Sequence, residues 1–137
     1  MKKVYLDTNI FIDILTNRAL GTVSLDDLKP LLEKSLVYMS TLSVHIAYYI
    51  LKIKPNSSSD RKTKNLINII NLIPLNLSII ENSLNTYKID FEDTLQYYSA
   101  LSENCDYILT RDNKDFIKIK ENIPSNIEII NSLKDLI

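Results

Sequence analysis

Apolar residues along this chain fall into short runs, and these alternate with longer stretches in which apolar positions recur every three or four residues. The first run is Val4-Tyr5-Leu6. After Asp7-Thr8-Asn9, the apolar Ile10, Phe11, Ile14 and Leu15 keep helical spacing, so the chain opens as strand, loop, helix. Residues 25–36 place Leu28, Leu31, Leu32 and Leu36 on one helix face, opened by Ser24 and by Asp26-Asp27 in the first turn. Residues 37–40 predict a second strand. Residues 44–53 predict a helix that ends before Lys54-Pro55, because the residue preceding a proline is pushed out of the helical region.

Asn56-Ser57-Ser58-Ser59 reads as a mobile polar loop within one domain, and Asp60-Arg61-Lys62 opens a helix over 60–70. Ile73-Pro74-Leu75 suits a brief edge strand, where the missing proline N–H does no harm. Helices are predicted over 77–87 and 90–103. A strand over 107–109, a loop, a short segment over 116–119, a last strand over 127–130 and a small helix to Ile137 follow. Strands alternating with helices imply βαβ units, hence an α/β class: a three-layer α/β/α fold around a mostly parallel sheet. Such sheets bind ligands beyond the carboxyl ends of their strands, at a switch point of the topology. Asp7 directly follows the first strand, and Asp112 and Asp115 follow the strand ending at Leu109, so three acids are expected at one edge.

Composition limits what that edge can do. With 137 residues, of which 45% are hydrophobic, the chain suits one compact domain, expected to span 1–137. Sixteen basic against seventeen acidic residues give a formal net charge of −1, so no global positive field serves nucleic acid and any RNA contact has to be local. The single Cys105 can form no internal disulfide, which fits a reducing cytoplasm, and it reads as a small buried apolar residue. The first apolar run is cut by Asp7 and is too short for the core of a signal peptide. Residues 66–80 are interrupted by Asn68, Asn71, Pro74 and Asn76, which argues against a membrane span. A cytoplasmic protein without a membrane segment is expected.

Carboxylates from separate loops suit a divalent magnesium or manganese ion, which takes hard oxygen ligands and completes its shell with water. A metal held there lowers the pKa of a water and clamps a phosphoryl oxygen, the two requirements of phosphodiester hydrolysis. Asp93 joins the set if the helix after Asp90 starts at the same edge. Asp112 and Asp115, three apart, reach one pocket from a tight turn or a first helical turn. Structural roles compete at each position. Asp90 and Asp93 read equally as an N-cap and an acidic N3 residue, and Asp112 and Asp115 as turn and cap residues. Asp7 has the stronger functional case, standing directly after a short first strand of a doubly wound sheet.

Three stretches carry a resemblance: Asp7-Thr8-Asn9-Ile10-Phe11-Ile12-Asp13, Asp90-Phe91-Glu92-Asp93-Thr94-Leu95-Gln96-Tyr97 and Thr110-Arg111-Asp112-Asn113-Lys114-Asp115-Phe116. In this order they resemble the motifs of PIN-domain proteins over nearly the whole chain, and they are most similar to the VapC-like branch of toxin ribonucleases. The resemblance implies a PIN-like fold and a metal-dependent endoribonuclease that uses Mg²⁺ or Mn²⁺ on an RNA substrate. It also implies a small cognate antitoxin protein and, as is common among such toxins, a homodimer. Asp7, Asp93 and Asp112 would then be metal ligands and Asp115 a ligand or an acid behind them, with Asn9 and Thr110 in support. On local pattern Asn9 also reads as the cap of a helix beginning at Ile10, and Thr110 as a strand end.

One departure from the family pattern stands out. Many members carry a glutamate early in the helix after the second strand, whereas residues 34–59 contain no acid. His45, the only histidine, sits near that place; an imidazole binds Mn²⁺ or orients a water, or it simply lies exposed on its helix. Arg111 is the candidate phosphate-binding residue, and Arg61, Lys62 and Lys64 are further cations; all four also read as solvated charges. Tyr48-Tyr49 and Tyr97-Tyr98 are adjacent pairs in which one ring is expected to pack inward.

Two other functions are compatible with parts of the pattern. The missing glutamate suits a catalytically weak PIN-fold module that binds RNA or a protein. A haloacid-dehalogenase-type phosphatase also carries an aspartate after its first strand, but requires an acid two residues later, where this chain has Asn9.

Overall fold

Val4, Tyr5 and Leu6 are all fully buried, which requires cover on both faces of the strand that carries them. The computed structural model, which describes residues 1–17 and 23–136, supplies that cover with two layers of helices. In chain order the elements are β1 (Lys2–Leu6), α1 (Thr8–Thr16), α2 (Leu25–Lys34), β2 (Ser35–Ser40), α3 (Thr41–Leu51), α4 (Ser58–Ile67) and β3 (Asn71–Ile73). They continue as α5 (Leu77–Thr86), α6 (Phe91–Ser102), β4 (Tyr107–Leu109), α7 (Asn113–Asn122) and β5 (Glu128–Ile130), closed by a 3-10 turn over Leu133–Leu136.

The strands pair in parallel throughout, in the order β3-β2-β1-β4-β5. The chain winds outward from β1 through β2 to β3, then returns to the far side of β1 with β4. That reversal makes the β1/β4 boundary the switch point. Val4 and Leu6 face one core with Ile10, Phe11 and Ile14 of α1 and Leu66 of α4. Tyr5 faces the other, with Leu95 and Tyr97 of α6 and Phe116 and Ile119 of α7. The alternation of side chains along β1 thus gives each helical layer its own core.

Element boundaries depart from the sequence expectation where a local conformation overrides periodicity. The leucine spacing over 25–36 runs past the true end of α2: Ser35 is extended at φ −141°, and Leu36 falls in β2, 38% exposed. Leu28 and Leu31 are buried, as the pattern predicts. α3 begins at Thr41, before the expected 44, because the side chain of Ser40 accepts from Leu42 N at 3.1 Å. It ends at Leu51 because Lys52 turns left-handed at φ 50°. The serine loop is partly helix, since Ser57 caps α4 through Asp60 N. The segment 116–119 lies inside α7. β3 holds the edge as expected but stops before Pro74. Ile137, the expected end of the last helix, is outside the described residues.

With one glycine in the chain, three of the four described non-glycine residues at positive φ are asparagines: Asn17, Asn56 and Asn104. Asparagine is the residue that next best tolerates that region. The cations after the serine loop are engaged by the fold. Lys62 Nζ donates to the carbonyls of Ile14 and Leu15 at the end of α1 (2.8 and 3.1 Å), Arg61 donates to Asn56 O (2.6 Å), and Lys64 pairs with Asp60 (3.1 Å). Asp60 also accepts from Tyr48 Oη at 2.6 Å and Asn56 N at 2.9 Å, and these donors, Tyr48 foremost, hold its carboxyl down to about 2. In each tyrosine pair one ring points outward or is half covered: Tyr49 is exposed, whereas Tyr97 is buried. Among the described residues no helix is long and apolar enough to cross a membrane.

The two leucines that periodicity placed on one face now differ in consequence. Leu31→Ala should lower the unfolding free energy by about 2–5 kcal/mol through a core cavity. Leu36→Ala should lower it by less than about 1 kcal/mol. Urea denaturation of both variants measures the difference.

Candidate metal centre

β1 ends by handing Asp7 to the switch point, where its N–H donates to Leu109 O of β4 at 3.0 Å. Asp7 occupies the N-cap of α1, yet its side chain makes no cap hydrogen bond. Instead the buried carboxylate accepts from Gln96 Nε2 on Oδ1 (2.8 Å) and from Thr110 Oγ1 on Oδ2 (2.7 Å). The Thr110 hydroxyl in turn accepts from Asp112 N at 2.9 Å, so one side chain ties Asp7 to the loop that carries the next acid. Asp112 is likewise an N-cap, of α7, whose side chain makes no cap bond, and Asp115 follows in the first turn of that helix.

Asp90 does cap α6, accepting from Asp93 N at 2.9 Å, so the local reading of this pair as a cap is half correct. The carboxylate of Asp93 does something else. Asp93, Asp112 and Asp115 each offer an oxygen within 4.8 Å of the others. Three of the four aspartates predicted from sequence therefore meet, and the fourth, Asp7, lies close enough for its charge to act on Asp93 and Asp112.

The supporting residues are placed as follows. Thr110 both ends β4 and holds Asp7. Asn9 is exposed inside the first turn of α1, which starts at Thr8, so it does not cap the helix as expected from Ile10 onward. His45 is exposed on α3 and lies outside the carboxylate cluster. The α3 residue bonded to the start of α1 is Ser43, whose hydroxyl is 2.8 Å from that of Thr8 with both buried. Arg111 points its Nε at the fully buried Asp13 of α1, at 2.9 Å, with a third of its side chain exposed. Gln96 and Asp13 are the two residues that sequence reasoning did not single out. Their signal is a polar residue on a helix face otherwise committed to the core: Gln96 stands three residues after Asp93, and Asp13 three after Ile10.

The electrostatics show strain that a cation would relieve. Burial raises Asp7, opposed by the hydrogen bonds from Thr110 and Gln96 and by the amides of Thr8 and Asn9. Asp93 is pushed up to about 8, first by burial and then by the charges of Asp7, Asp90, Asp112 and Glu92. Asp112 is raised by burial and by the adjoining Asp115, and Glu92 by burial and the charges of Asp90 and Asp7. Among the described residues no ion pair reaches Asp93, Asp112 or Asp115. The amino ends of α1, α6 and α7 compensate only in part. An all-oxygen donor set that is crowded, half-buried and short of positive charge fits a hard divalent cation.

A parallel α/β/α sheet with an all-carboxylate cluster at its switch point defines the class: an α/β protein built around a candidate divalent-cation site. The match to known proteins is more specific. The PIN domain family model covers residues 4–122, and the chain belongs to that family. It is 32% identical over 121 residues to ribonuclease VapC1 of Aquifex aeolicus (strain VF5), a match that covers 81% of this chain and 82% of the relative. In fold it is similar to VapBC2 from Rickettsia felis, solved bound to a DNA fragment from the promoter: TM-score 0.66, 18% identity, 93% of this chain and 98% of that one. It is also similar to a toxin-antitoxin complex from Klebsiella pneumoniae: TM-score 0.61, 20% identity, 91% of this chain and 95% of that one.

A raised carboxyl has a signed effect on stability. The folded protein keeps a proton on Asp93 that the unfolded chain releases near the ordinary carboxylate value of about 4. The metal-free protein should therefore lose stability as pH rises from about 4 to about 8 and change little above that. Thermal unfolding in EDTA across this range should show the slope, and Asp93→Asn should flatten it; equal slopes in the two proteins would contradict the assignment.

Proposed function

We propose that this chain is a divalent-metal-dependent endoribonuclease acting as the toxin of a toxin-antitoxin pair. The convergence of Asp93, Asp112 and Asp115 beside buried Asp7, in a chain 32% identical to a ribonuclease, carries the reading. Asp7, Asp93 and Asp112 would hold Mg²⁺ or Mn²⁺, with Asp115 as a further ligand or as an acid behind Asp112. When bound, the ion supplies a more acidic water and an electrophilic contact for a phosphoryl oxygen, the needs of hydrolysis without a covalent enzyme intermediate.

The remaining roles fall to side chains of the protein. Thr110 keeps the Asp7 and Asp112 loops in register, and Asn9 supports from the first turn of α1. The amino ends of α1, α6 and α7 favour an anionic phosphate. Arg111, held by Asp13 through Nε, has its other nitrogens for an RNA phosphate. His45, exposed and apart from the acids, is an outer residue that can orient water but is not needed for the donor set. One domain over residues 1–137 would do this work in the cytoplasm, restrained by an antitoxin. Exposed Tyr49 and Ile50 of α3 and Leu77 and Leu84 of α5 supply apolar area for that protein or for a second copy.

Asp7→Asn is expected to reduce RNA cleavage by about 10²–10³-fold or more while leaving the chain folded. The Thr110 hydroxyl can turn to accept from the new amide beside the N–H of Asp112, so the contact survives at the cost of the acceptor for its own proton. EDTA should abolish cleavage by the wild type and Mn²⁺ restore it, and His45→Ala should stay active. Wild-type cleavage by folded Asp7→Asn would overturn the mechanism. A wild-type protein that takes up no Mn²⁺ yet binds RNA or a protein tightly would favour the binding module instead.

A further inference from the structure

Gln96 is fully buried on α6, three residues after Asp93, and its amide is committed at both ends. Oε1 accepts from the backbone N–H of Thr8 at 3.1 Å and from the hydroxyl of Tyr5 at 3.2 Å, while Nε2 donates to Asp7 Oδ1 at 2.8 Å. A backbone N–H only donates, so it decides which end of the amide faces it. Turned over, the side chain would set NH₂ against the N–H of Thr8 and a carbonyl against a carboxylate, losing two hydrogen bonds at once, and only the Tyr5 hydroxyl could turn to accept. The donor of Gln96 therefore has one direction, toward Asp7.

With Thr110 on Oδ2, each oxygen of Asp7 has one fixed side-chain donor, and rotation about the Cβ–Cγ bond breaks both of these hydrogen bonds. We infer that Gln96 is the positioning residue of the centre: it sets the plane of the Asp7 carboxylate and couples that plane to Asp93 through the body of α6. One helix thus carries an acid of the cluster and the hold on a second acid, at the carboxyl end of β1. Groups that orient ligands without touching the ion typically change metal affinity by about 10–100-fold when replaced. The inference rests on the cluster being a metal centre.

Two substitutions test it. Gln96→Met keeps the length of the side chain and removes donor and acceptor together. Gln96→Leu also removes both, in a shorter branched side chain that cannot regain a donor by taking up a proton. Calorimetric titration with Mn²⁺ alone should show affinity lowered about 10–100-fold in both variants relative to wild type. Leu31→Ala, destabilised by a cavity in the opposite helical layer, should bind Mn²⁺ as wild type does. Unchanged affinity in a folded Gln96 variant, or an equal loss in Leu31→Ala, overturns the inference. A crystal structure of metal-free Gln96→Met gives a reading independent of the ion. An Asp7 carboxylate rotated over an unmoved main chain supports the role, and an Asp7 left in place ends it. If the wild type takes up no Mn²⁺, the metal reading of the cluster fails by itself, and the Asp7 orientation still decides the role of Gln96.

Discussion

A carboxylate removed from water must be given hydrogen-bond donors or lose its charge, and the organisation of this molecule follows from meeting that demand at Asp7. The donors come from far along the chain, Gln96 on α6 and Thr110 at the end of β4. Neither can reach Asp7 unless β4 pairs with β1 and α6 packs over that pair. The switch point is thus fixed by apolar packing on both faces of β1 and by a polar clamp at its carboxyl end. Because Thr110 also accepts from Asp112 N, the clamp that satisfies Asp7 positions the start of α7 as well.

Much of this was legible in the sequence. Short apolar runs separated by helical periodicity gave a parallel α/β/α sheet, and the strand over 107–109 has the bounds expected of it. Asp7, Asp112 and Asp115 were placed at one edge by their position after strands. The ambiguity lay in the caps, where local pattern treats every aspartate alike. Asp90 caps its helix, whereas Asp7 and Asp112 hold cap positions without using their side chains as caps. For Asp7 the difference lies in contacts with residues about ninety to a hundred positions away, which no window of sequence contains, and for Asp112 in its meeting with Asp93 and Asp115. The same holds for Gln96 and Asp13, whose partners are tertiary. Leu36 shows the opposite failure, a periodic position that persists by coincidence beyond a helix that has already ended.

Charge in this chain is local in every respect. A formal net charge of −1 conceals a crowd of acids at one edge and cations drawn into structural service elsewhere. Lys62 terminates α1, Lys64 and Arg61 brace the start of α4, and Arg111 straps the β4–α7 loop to α1 through Asp13. α1 is consequently held at three points: Asp7 at its start, Asp13 along its length and the Ile14 and Leu15 carbonyls at its end. The rigidity of this helix fixes one side of the cluster, and its cause is polar contact from three other segments as much as the burial of Phe11 and Ile14.

The span of the donor set along the chain bears on what a part of the chain can hold. Thr110, which orients Asp7, comes 103 residues after it, and Asp112 and Asp115 later still. A chain cut before β4 still holds Asp7 and Asp93 but lacks Thr110, Asp112 and Asp115, and its β1 is left without a partner on that side. For an enzyme that attacks RNA, this ordering makes the centre a property of the assembled sheet: no fragment that ends before α7 contains all of its acids.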